Sequence, residues 1–63
     1  MQKFSLMLDS QGDVKQALEK VWHTLRVRGE VAVIPMDGKF RVDVISESDL
    51  TPLEVSQLPG KSV

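Results

Sequence analysis

Side chains able to do covalent or acid-base chemistry are scarce in this 63-residue chain: one histidine (His23), no cysteine, and a loose group of carboxylates, Asp43, Glu47 and Asp49. A histidine titrates near neutrality and can act as general acid, general base or metal ligand, but each role needs a second group beside it. On a helical wheel His23 lies almost opposite the apolar stripe that runs from Val14 to Leu25, four residues after Glu19. It therefore reads as a surface residue that pairs with that carboxylate. With no second histidine and no cysteine, a zinc site is left with carboxylates alone, a poor ligand set for that metal. The three carboxylates have neither the spacing of a calcium loop nor anything that brings two of them into a cleft for paired proton transfer. The expectation is a protein that is not an enzyme, with no catalytic, cofactor-binding or metal-binding residues and no cofactor.

Charge offers a second kind of chemistry, the gripping of phosphates. The net charge is −1, but residues 14–41 hold six cations against three anions, while residues 42–58 hold four anions and no cation. Lys15, Lys20 and Arg26 on the exterior of a helix, with Lys39 and Arg41 at the end of a hairpin, form a basic constellation that would bind nucleic acid in a salt-dependent way. No aromatic residue accompanies them on the open sheet face, where single-strand readers of related topology stack bases. Phe4, Trp22 and Phe40 all fall on expected core faces, since a small domain needs large side chains to fill it. Gly12, Gly29, Gly38 and Gly60 are isolated, so there is no glycine-rich phosphate loop. A nucleic-acid-associated regulator is therefore the alternative reading, and a solvated surface accounts for the same cations.

The elements that must position these residues are written more plainly. Asp37-Gly38 separates two β-branched runs, the signature of a two-residue hairpin with a type I′ turn. The register follows: Met36 faces Lys39, Pro35 faces Phe40, Val33 faces Val42 and Val31 faces Val44. One face then carries Val31, Val33, Pro35, Phe40, Val42 and Val44 and is wholly apolar. The other carries Ala32, Ile34, Met36, Lys39, Arg41, Asp43 and Ile45, a mixture. Alternation over residues 2–8 predicts a first strand with Phe4, Leu6 and Leu8 inward. Ser10 or Asp9 caps a helix whose stripe is Val14, Ala17, Leu18, Val21, Trp22 and Leu25, stopped by Gly29 with Arg26 and Arg28 in the last turn. Thr51-Pro52-Leu53-Glu54 is a capping box that opens a short helix of about two turns. Residues 59–63 read as a flexible tail, too short and polar to add a strand of consequence.

Pro35 supplies the strand order. Its nitrogen points away from the partner strand, so a further strand beyond it would lose a hydrogen bond, and proline belongs on an edge. The first strand then pairs with the third, giving a single small α+β domain. It has two layers in the order β-α-β-β-α and a three-stranded antiparallel sheet of order 1-3-2. This topology resembles a ferredoxin-like fold lacking its last strand. Such a chain leaves the outer edge of residues 2–8 bare, and bare edges invite pairing. The expected function is a small non-catalytic protein–protein interaction or regulatory module. It would self-associate, most simply as a two-fold homodimer, through that sheet edge or through the open face bearing Met7, Ile34, Met36 and Ile45. The competing fate for that face is cover by Leu53, Val55 and Leu58 of the short helix. The longest apolar runs are only four residues, which suits a cytoplasmic protein with no membrane partner.

Overall fold

The computed structural model describes residues 1–62, and Val63 lies outside the described residues. Strand β1 (Gln2–Leu8) leads into α1 (Gln11–Glu19), which continues without a break into one π-helical turn, Lys20–Thr24. Strands β2 (Gly29–Met36) and β3 (Lys39–Ser46) form the hairpin, followed by α2 (Pro52–Ser56) and a two-residue β4 (Lys61–Ser62). The result is a mixed α+β chain with one open antiparallel sheet of four strands in the order β2-β3-β1-β4.

The hairpin register is the one its sequence dictates, from Met36 opposite Lys39 to Val31 opposite Val44. β3 lies between β2 and β1, as Pro35 requires. The turn itself differs from the expected type I′. Gly38 has φ +70°, but among the described residues Arg26 is the only non-glycine with positive φ. Asp37 therefore keeps an ordinary φ, and positive φ at the second turn position alone is the pattern of a type II turn.

Hydrophobic burial is concentrated on one face of the sheet. Leu6 and Leu8 of β1 and Val42 and Val44 of β3 are buried against Val14, Ala17 and Val21 of the helix, together with Val27 and Leu58. Ser46, also on this face and fully buried, donates from Oγ to the Ser48 carbonyl at 2.5 Å, which satisfies its hydroxyl where water cannot. Ser10 caps α1 as expected, its Oγ accepting from the Asp13 amide at 3.1 Å. The capping box of α2 closes both ways: the Glu54 amide donates to Thr51 Oγ1 (3.2 Å) and the Thr51 amide to Glu54 Oε1 (2.9 Å).

Three further expectations are corrected. First, the helix ends earlier than Gly29. The Leu25 amide donates to the Lys20 carbonyl, five residues back, Arg26 turns left-handed with φ +51°, and the Val27 amide closes on the Val21 carbonyl at 2.9 Å. Gly29 instead opens β2, where a Cβ would stand 1.8 Å from the Ile45 carbonyl oxygen, so close approach to β3 is what demands glycine. Second, Trp22 is not core but 41% exposed. At about 100° per residue it lies at the rim of the stripe centred on Ala17 and Val21.

Third, the chain returns to the sheet after Leu58. Lys61–Ser62 pair with Met7 and Leu6, so there are four strands rather than three and the outer edge of β1 is partly covered rather than bare. Gly60 makes this return fit: its φ is +86°, and a Cβ there would lie 2.2 Å from Leu8 Cδ2 and 2.5 Å from the Met7 carbonyl oxygen.

Candidate functional site

The face of the sheet opposite the helix is organised in rows across the strands. Register places Lys61, Met7, Arg41 and Ile34 in one row, Ser5, Asp43 and Ala32 in the next, and Lys3, Ile45 and Glu30 in a third. Asp43 is the acceptor at the centre. Its Oδ1 takes a hydrogen bond from Ser5 Oγ at 2.6 Å and lies 3.1 Å from Arg41 Nε. The Ser5 contact is a hydrogen bond, whereas the Arg41 contact is an ion pair alone, since the buried Nε has no hydrogen-bond partner. Of the four residues expected as an interface, Met7 and Ile34 flank Arg41, Met36 lies at the hairpin end and is 47% exposed, and Ile45 lies two rows away. All four share the face, but only Ile34 and Met36 are direct neighbours, while Arg41 and Asp43 separate Met7 and Ile45 from them, so they make a mixed surface and not a continuous apolar patch.

That face is not covered by α2, which settles the competing fate expected for it. Leu58 enters the core on the other side of the sheet, the Gln57 carbonyl accepts from Lys20 Nζ at 3.0 Å, and Leu53 is 73% exposed.

A second feature emerges at β2. The helix packs over β1 and β3, and β2 projects beyond it. Val31 is only half-buried, Val33 is 40% exposed and Pro35 is exposed, although all three carry the inward phase. Trp22 stands beside this strand, bordering a concavity it shares with Gly29, Glu30 and Val31. A second, shallow and mainly apolar concavity runs along the outer flank of α1 between Val14, Leu18 and Trp22. The β2 edge is thus a strand of eight residues with no neighbour on its outer side among the described residues. Between Val31 and Met36 it carries no charged side chain.

The basic constellation does not assemble. Arg41 and Lys39 belong to the open sheet face, whereas Lys15 and Lys20 belong to the helix on the other side and Arg26 to the left-handed turn that follows it. Three of the five are already engaged: Arg41 with Asp43, Lys39 with Asp9 at 3.8 Å, and Lys20 with the Gln57 carbonyl. His23 is exposed on the helix flank beside Glu19. Asp43, Glu47 and Asp49 do not converge, and among the described residues no group of three or more histidine, cysteine or acidic side chains could hold a metal ion. No helix among them is long and apolar enough to cross a membrane.

Trp22, Val33 and Pro35 are residues of the expected core faces that the structure leaves exposed. The signal for Trp22 was present in its position at the rim of the stripe. For Val33 there was none, because its exposure depends on where one helix comes to rest across three strands. Comparison of the chain with protein-family models, with curated proteins and with solved structures finds no match in any of the three.

Proposed function

We propose that this chain is a small non-catalytic protein–protein interaction module that docks its partner along the outer edge of β2. The observation that carries this reading is the unpaired β2 edge, uncharged from Val31 to Met36 and flanked by exposed Trp22 and Val33. Natural sheets blunt such edges with charge, bulges or cover, and here Pro35 alone interrupts the row of outward donors. An edge strand supplies main-chain hydrogen bonds, and the side chains beside it supply selectivity. The same reasoning moves the interface from the edge of β1, where β4 pairs, to β2. Met7, Ile34, Met36 and Ile45 then serve as the neighbouring open face that a partner reaches around the strand.

We also infer that the order β-α-β-β-α-β, with β4 outside β1, is a two-layer ferredoxin-like arrangement whose last strand is reduced to two residues.

The reading is tested by placing a photo-crosslinking amino acid singly at Ala32, Val33, Lys15 or Leu53 of the full chain in living cells. Adducts at Ala32 and Val33, without adducts at Lys15 and Leu53, are expected. Absence of adducts at the β2 positions overturns the reading.

A further inference from the structure

We infer that the occupant of the β2 edge is a second copy of this chain, paired antiparallel to the first around a two-fold axis at Ala32; this rests on the docking reading above. Pro35 has no N–H and faces Phe40 at a position that exchanges no ladder hydrogen bond. Alternation then turns the amides and carbonyls of Val31 and Val33 outward, together with the amide of Gly29. An isologous pair must present these groups to themselves, and few registers allow it.

Centring the axis on Val33 sets Val31 against the partner's Pro35 and loses donors in the middle of the ladder. Centring it on Val31 keeps the donors but brings Glu30 diagonally against the partner's Glu30, a like-charge contact that destabilises a sheet.

Centring it on Ala32 pairs Val31 with the partner's Val33 twice over, and leaves the missing proline donor at the ends of the ladder, where it costs least. On the helix side this gathers four valines between the two tryptophans. On the open face Glu30 falls opposite the partner's Ile34, whose own neighbour across its sheet is Arg41. Glu30 thus meets an uncharged side chain and not a second carboxylate, and Arg41 keeps its own partner, Asp43. Ala32, the smallest side chain of the row, meets its own copy on the axis. The shape and the polar groups of β2 are therefore complementary to β2 itself, and its one charge, Glu30, meets no like charge.

The test uses the full chain. Sedimentation equilibrium at high micromolar concentration is expected to give twice the 7.0 kDa chain mass, and Val33→Pro, which removes an outward donor and no β2–β3 ladder bond, is expected to weaken association at least about tenfold (roughly 1.4 kcal/mol). Since the chain has no cysteine, Ala32→Cys in a glutathione redox buffer reads the register directly. Non-hydrogen-bonded antiparallel pairs place Cα atoms about 4.5 Å apart, within disulfide range. Ala32→Cys is expected to form a disulfide dimer, while Val31→Cys, Val33→Cys and the exposed control Leu53→Cys form none above collision background. A monomeric mass for the unsubstituted chain overturns the inference, as does cross-linking of Val31→Cys or Val33→Cys in preference to Ala32→Cys. If the crosslinker at Ala32 captures a different protein while the chain sediments as a monomer, the second-copy inference fails and the docking reading survives.

Discussion

At the scale of single residues, Arg26 is the clearest case of a side chain in a place its type does not favour. Helices commonly finish with a left-handed residue, usually glycine, because a Cβ crowds the following carbonyl there. Arg26 holds this position at φ +51°, and the glycine that the sequence offers as a stop, Gly29, lies three residues further on and belongs to β2. Arg26→Gly is expected to stabilise the protein by about 0.5–1 kcal/mol, because relief of the backbone conformation exceeds the entropy glycine adds to the unfolded chain. A rise in the urea midpoint at unchanged slope would show it, and a fall would mean that the arginine side chain makes a compensating contact. Trp22 teaches a related lesson. Its type says core, but its angular position puts it at the margin, and large aromatic side chains left at a margin are typical anchors for a partner.

At the scale of elements, those defined by local chemistry were legible: the hairpin with its register, the Ser10 cap and the Thr51 capping box each depend on residues a few positions apart. β4 was not, because two polar residues have no periodicity to read. It exists because Leu58 is buried, α2 turns the chain back, and Gly60 passes against β1 where no side chain fits. Gly60→Ala is therefore expected to cost about 1–3 kcal/mol. Its effect should fall first on β4, read as faster amide hydrogen exchange at Met7, whose backbone faces β4, and at Lys61 than at the amides of the β1–β3 ladder, Leu6 among them. Unchanged exchange at both would show that β4 does not depend on this glycine. The π-helical turn was equally hidden. Its i to i−5 bond from Leu25 to Lys20 is a small departure from helical pattern, and such turns carry no simple sequence signal.

For the whole molecule, 63 residues at roughly 0.05–0.15 kcal/mol each suggest about 3–9 kcal/mol of stability, held by a core of nine buried hydrophobic residues among those described. Leu6 is fully buried between the helix and β3, and Leu6→Ala should cost about 2–5 kcal/mol, a large share of that total. Thermal melting should show a broad, much lower transition for this variant, and a melting temperature within a few degrees of the parent would mean that the core repacks around the void. The sequence by itself determined the order of the first five elements, the faces of the hairpin and the central place of β3. Each of these follows from alternation, capping and the missing N–H of Pro35, all of which act over short distances along the chain. Only the tertiary structure decided that the last residues close one edge of the sheet, that α2 leaves the open face uncovered, and that β2 projects past the helix with Val33 and Trp22 exposed. The reason is geometric: the first helix covers the two central strands of a four-stranded sheet, and which strands it leaves uncovered is set by how all the elements pack together.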